Sequence, residues 1–113
     1  MVASDPPQLA VELDRSGPTL TAYVEGDLDA ATAGDLVSPI LAGVDAGVNR
    51  VCVDMARVTF CDSTGLRALV EVHAAASKGG ATVTVQDPPR QVRRVLEVTG
   101  VDQVIPVVGV GPG

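Results

Sequence analysis

Short runs in which apolar and polar residues alternate are separated by longer stretches in which apolar residues recur every three or four positions. The first pattern marks strands with one buried face, and the second marks helices with one buried stripe. Leu9-Ala10-Val11-Glu12-Leu13 alternates, and so does Thr19–Glu25, with Leu20, Ala22 and Val24 on one side. Arg15-Ser16-Gly17-Pro18 between them is a turn signal, so the two runs read as a hairpin. A helical stripe follows at Leu36, Val37, Ile40, Leu41 and Val44. Thr32 and Asp35 have capping-box spacing at its start, although Glu or Gln is the usual partner. Pro39 falls inside this helix and is expected to kink or break it. Arg50–Met55 is a third strand. A second helix is expected from Ser63 to Lys78, with Leu66, Leu69, Val70, His73, Ala74 and Ser77 on its inner face and Gly79-Gly80 as its stop. Ala81–Val85 reads as a fourth strand. Asp87 is expected to cap a third helix that has proline at its first position and an inner stripe of Val92, Val95, Leu96 and Thr99. Val104–Val107 reads as a short last strand.

The order is β-β-α-β-α-β-α-β, which predicts an α/β domain over residues 9–108. An N-terminal arm (1–8) and a C-terminal tail (109–113) flank it. After the hairpin, strands and helices alternate, as in parallel strands joined by helical crossovers. Crossovers are right-handed. If sheet order follows chain order, the helices therefore share one face of a mixed sheet.

Composition narrows what such a domain can do. Its 113 residues can bury a core without disulfide or metal. Apolar residues make up 46%, nearly all Val, Ala and Leu, which suits buried parallel strands. Phe60 and Tyr23 are the only aromatics and the net charge is −6, so neither a base-stacking surface nor a basic duplex-binding face is available. An acidic domain instead suits a basic protein partner. Cys52 and Cys61 lack metal-site spacing and stand in apolar runs, where cysteine acts as a small buried hydrophobe. No apolar run approaches the ~20 residues of a membrane span, and the N-terminus lacks the regions of a signal peptide. The expectation is a soluble, cytoplasmic protein that does not bind membranes.

Candidate chemistry gathers where the third strand hands over to the second helix, at Thr59-Phe60-Cys61-Asp62-Ser63-Thr64-Gly65-Leu66. In α/β sheets, functional surfaces form at the C-terminal ends of the strands. That end would collect Asp27 and Asp29, then Asp62, Ser63 and Thr64, then Asp87. Asp62 or Ser63 would cap the helix. Ser63 is not placed as a catalytic nucleophile. It lacks the Gly-x-Ser-x-Gly elbow, and His73, the only histidine, lies ten residues along the same helix, roughly 15 Å away at 1.5 Å per residue. No phosphate loop is present, and the acidic group is read as a partner surface rather than a metal site. Arg90, Arg93 and Arg94 read as a solvated helix face. The remaining reading of Ser63 is a hydroxyl modified by another protein.

Phe60-Cys61-Asp62-Ser63-Thr64-Gly65-Leu66 resembles the phosphorylation-site motif of bacterial anti-sigma factor antagonists, the stand-alone STAS domains. Gly26-Asp27-Leu28-Asp29-x-x-Thr32 is similar to the segment that precedes the first helix of that family. Val92-x-x-Val95-Leu96-x-x-Thr99-Gly100-Val101 is similar to the family's helix that ends in Gly followed by an apolar residue. The resemblance implies a non-catalytic switch. The unmodified protein would bind an anti-sigma factor that is also an ATP-dependent serine kinase, and so release the sigma factor. Phosphorylation would fall on Ser63, with Asp27, Asp29, Asp62, Thr64 and Gly65 as the partner-binding surroundings, and would end binding. A PP2C-type phosphatase would restore the active form. The protein itself would carry no cofactor, the ATP being the kinase's, and would be a monomer or weak dimer. Pro39 and a chain that stops soon after its last strand depart from the family pattern. The rival reading is a STAS scaffold or transporter-accessory module without phospho-switching.

Overall fold

The computed structural model describes residues 8–109. The expected arm and tail lie outside this range, apart from Gln8 and Gly109. The elements are β1 (Leu9–Ser16), β2 (Thr19–Leu28), α1 (Ala33–Gly43), β3 (Arg50–Cys61), α2 (Ser63–Lys78), β4 (Thr82–Gln86), α3 (Arg90–Thr99), one turn of 3-10 helix (Val101–Gln103) and β5 (Val107–Val108). The strands form one sheet in the order β1-β2-β3-β4-β5, with β1 antiparallel to β2 and every later pair parallel. Because this order follows the chain, right-handed crossovers place all three helices on one face, as the element order predicted.

Alternation along the strands decides what that face buries. Leu20, Ala22 and Val24 of β2, Val51, Val53 and Met55 of β3, and Val83 and Val85 of β4 are buried under the helices. Leu36 and Ile40 of α1, Leu69 and Val72 of α2, and Leu96 of α3 meet them and are fully enclosed. Each such side chain contributes about 1.5–3 kcal/mol through burial. The opposite face of the sheet is polar and open. Cys52 lies on it, buried among neighbouring side chains, and its thiol stands 2.9 Å from Oε1 of Gln86. It is therefore buried as expected, but within a polar layer.

The helix faces differ in part from the stripes read in the sequence. On α2 the buried residues are Gly65, Leu66, Ala68, Leu69, Val72 and Ala76, whereas Val70, Ala74 and Ser77 are exposed. This helix is apolar on several sides, so periodicity allowed two stripes and packing on the sheet chose one. Pro39 neither breaks nor interrupts α1. It removes the hydrogen bond to the Asp35 carbonyl, but Asp35 is exposed, so that carbonyl lies on the solvent side of the helix. Burial of Leu36 and Ile40 holds the rest of the helix. Asp87 does not cap α3, which begins after Pro89 with no side-chain cap. The Pro88-Pro89 pair disfavours helical backbone in the residues before it and delays the start. Asp87 instead adopts φ +51° at the end of β4, where its N–H donates to the Val108 carbonyl. The last strand is Val107–Val108 rather than Val104–Val107, because a 3-10 turn consumes the residues after Gly100 and buries Ile105.

The largest departure is the length of β3. The broken alternation after Met55 suggested an end there, yet the strand runs on to Cys61. Its pairing with β2 explains the break. Tyr23 and Glu25 pair with Asp54 and Arg57, and Gly26 and Asp27 pair with Val58 and Phe60. At both steps β3 carries one more residue than β2, which makes two bulges, and Thr59 is the extra residue of the second. Bulges disturb alternation and re-aim side chains beside functional surfaces.

Candidate functional site: the rim at the start of helix α2

β2 and β3 end side by side. Leu28 pairs with Cys61, and the Asp62 N–H donates to the Leu28 carbonyl at 3.3 Å. Asp62 is extended (φ −103°, ψ −173°), and Ser63 is the first residue of α2. The Asp62 carboxylate accepts from the Gly65 N–H at 2.9 Å, so of the two candidate caps Asp62 takes the role. Ser63 is exposed and its hydroxyl is not spent on the cap. It stands at the positive end of a 16-residue helix. Thr64 is half-buried and Gly65 buried. A Cβ on Gly65 would overlap the backbone carbonyl and the side chain of Leu28, so only glycine lets the helix start this close to β2.

The opposite wall is the segment after β2. Asp29 Oδ1 accepts from the N–H groups of Ala31 (3.0 Å) and Thr32 (3.2 Å). Thr32 does not form the expected capping box with Asp35. Its hydroxyl, 2% exposed as part of that residue, donates to the Asp27 carbonyl at 2.8 Å and accepts from the Asp29 N–H at 3.0 Å. This ties the loop into one conformation. Asp27 is held from the other side by Thr59, whose hydroxyl donates to Asp27 Oδ1 at 2.6 Å. Gln91 of α3 in turn donates to the Thr59 carbonyl at 2.7 Å. Thr59 and Thr32 stand in the motifs read from the sequence but were given no role in the site, and Gln91 was not singled out. The bonds from Thr59 and Gln91 span 32 residues each and leave no local signal.

The rim therefore brings together Asp27, Asp29, Asp62, Ser63, Thr64 and Gly65. Asp87 is not brought to it. β4 ends at Gln86, which pairs with Asp54, and Asp54 is roughly 20 Å down β3 from Cys61 at about 3.3 Å per residue. Each of the three rim carboxylates already accepts a hydrogen bond from the protein, and all three are half-buried. Cys61, beneath the rim, has its thiol pushed up to about 11, first by burial and then by the negative charge of Asp62. Among the described residues no group of three or more His, Cys, Asp and Glu is placed to hold a metal ion, and no helix is long and apolar enough to cross a membrane.

His73 is half-buried on α2, and its buried Nδ1 has no partner among the described residues. Ten residues of helix separate it from Ser63. Arg90 and Arg94 are exposed, as expected of a solvated face, while Arg93 is half-buried. Two surface depressions are lined by Glu12, Tyr23, Asp54 and Arg57, and by His73, Ser77, Thr84 and Pro106, among others. Neither includes Asp27, Asp62 or Ser63. The rim thus presents an exposed hydroxyl that the helix cap does not use.

Comparison with known proteins agrees with this fold. The chain is 27% identical over 99 residues to the putative anti-sigma factor antagonist BtrV of Bordetella bronchiseptica, covering 88% of this chain and 85% of that protein. The crystal structure of an anti-sigma factor antagonist from Mycobacterium paratuberculosis superposes with a TM-score of 0.79 at 25% identity, covering 93% of this chain and 89% of that one. The Bacillus cell fate determinant SpoIIAA in its phosphorylated form shares the fold, with a TM-score of 0.65 at 16% identity over 88% of this chain and 91% of that one. Residues 10–109 match the family described as "Mlab, STAS domain", and the chain belongs to the STAS-domain family.

Proposed function

We propose that this protein is a phosphorylation-controlled anti-sigma factor antagonist. In its unmodified form the rim around Ser63 binds an anti-sigma factor that is also a serine kinase, and the sigma factor is released. The kinase transfers a phosphoryl group from its own ATP to the Ser63 hydroxyl, binding ends, and a PP2C-type phosphatase restores the first state. The protein carries no catalytic machinery of its own and works in the cytoplasm. The observation that carries this reading is the exposed Ser63 hydroxyl at the first position of α2, left free because Asp62 performs the capping. Support also comes from the names of the Bordetella and Mycobacterium relatives.

The energetics of the switch follow from local charge. A phosphate on Ser63 adds about −1.5 to −2 units of charge. The α2 N-terminus favours it, so the domain need not rearrange. Asp27, Asp29 and Asp62 surround the site with like charge. In a closed interface, that dianion loses water and meets groups chosen for a neutral hydroxyl, which costs several kcal/mol.

The test uses purified anti-sigma kinases from the source organism with ATP, followed by intact-mass and peptide analysis. One phosphate on Ser63, abolished by Ser63→Ala, is expected, and labelling that survives this substitution removes the site assignment. Calorimetry should show Ser63→Asp binding the kinase at least tenfold more weakly. The second reading, a STAS scaffold or transporter accessory, draws on the Mlab description of the family. It predicts a partner that binds wild type and Ser63→Asp equally.

A further inference from the structure

Phe60 is one of two aromatics in the chain and is 50% exposed, three residues before Ser63. Three residues of extended chain span at most about 10 Å, so the ring and the Ser63 hydroxyl lie within one protein footprint. Half of the Phe60 surface stays open to water, apolar area that contributes to binding once a partner covers it. Its backbone is fixed on both sides. Asp27 stands opposite it in the β2–β3 register, and the neighbouring Thr59 is tied to Asp27 by its hydroxyl and to Gln91 by its carbonyl. A rigid aromatic that loses little freedom on binding is what an interface anchor needs. Around it, Asp27 and Asp62 provide negative charge, and Gln91 is the first polar group on the α3 side, with exposed Arg90 next to it in sequence.

We infer that Phe60 is the anchor of the partner-binding surface, and that its occupant is an apolar pocket on the anti-sigma kinase whose margin facing Asp27 and Asp62 is basic. This rests on the function proposed above and adds to it the residue that supplies affinity. Ser63 would then be the reacting group and Phe60 the grip. The two roles separate kinetically: loss of the ring weakens encounter with the kinase without altering the hydroxyl that reacts.

The experiment measures phosphorylation of wild type, Phe60→Ala, Phe60→Tyr and Val98→Ala by the purified anti-sigma kinase of the source organism that accepts the wild-type chain. Val98 is 79% exposed on α3, eight residues beyond Arg90, and serves as a control apolar surface residue. Thermal unfolding is followed for each variant. Phe60→Ala is expected to raise KM at least tenfold, with kcat within about twofold of wild type, a size typical of an anchor residue. Phe60→Tyr should restore most of the loss, and Val98→Ala should behave as wild type. An unchanged KM for a folded Phe60→Ala overturns the anchor while leaving the switch intact. So does an equal loss in Val98→Ala. If Phe60→Ala fails to fold, Phe60→Leu replaces it, with the same reading of its KM. A wild-type chain that no anti-sigma kinase phosphorylates overturns the switch and the anchor together.

Discussion

Gly65 shows how little separates a good helix start from an impossible one. Alanine is worth about 1 kcal/mol over glycine inside a helix, yet a Cβ here overlaps the Leu28 carbonyl and side chain. Contact with backbone cannot be relieved by a rotamer change, so the clash wins. Gly65→Ala is expected to lower stability by about 1–3 kcal/mol in urea denaturation. Cys61 makes a second residue-scale prediction. At pH 8 a thiol with its pKa near 11 is ionised in roughly one molecule per thousand, against about a tenth for the unfolded thiol at 9.0. Iodoacetamide should therefore label Cys61 on the order of a hundredfold faster in urea than in buffer. The same shift has a stability sign. The unfolded thiol, at 9.0, gives up its proton before the folded one, so stability holds below pH 9 and falls as pH rises from 9 towards 11. A urea midpoint that stays flat across this window in wild type, relative to Cys61→Ala, would contradict it. At this scale the sequence revealed the motif residues themselves. The bonds of Thr59 to Asp27 and of Gln91 to Thr59 were hidden, because each joins residues 32 positions apart that come close only when the sheet forms.

Two helices carry predictions of their own. Asp62 holds the first turn of α2, so Asp62→Ala should cost about 1 kcal/mol, while Asp62→Asn, still able to accept from Gly65, should cost little. The comparison separates capping from charge, since both variants remove the carboxylate. In α1, Pro39 forfeits one backbone hydrogen bond, and interior proline costs about 3 kcal/mol against alanine. Its ring is half-buried and returns part of that. Pro39→Ala should raise the thermal midpoint by several degrees, and a lowered midpoint would mean that the ring's packing outweighs the lost bond. Elements were legible where one periodicity dominated, as in β2 and β4. They were misread where patterns overlapped. α2 offered two apolar stripes, and β3 lost its alternation at the bulges beside Met55 and Thr59. The diproline after Asp87 moved the start of α3 because steric restriction of the preceding residue outweighed the capping signal.

For the whole molecule, the sequence left strand order as a condition, and the single permitted hand of each crossover fixed only that helices share one face once that order holds. The sheet order repeats the chain order without exception. The acidic balance, net −6, acts at the same scale. Between 0.01 and 0.15 M salt the screening length falls from about 30 to about 8 Å. Association with a basic partner should therefore slow by tenfold or more across that range in stopped-flow measurements, with dissociation changing much less. Equal sensitivity of both rates would place the dominant charges inside the contact rather than around it.

The second bulge of β3 bears on how this chain should be aligned with its kin. Thr59 has no counterpart on β2, so a relative lacking one residue here could keep every other pairing. A single-residue gap at this point would then mark no shortened loop. It would mark a rim whose acidic side chain has lost its tether, in a protein whose motif letters still read the same.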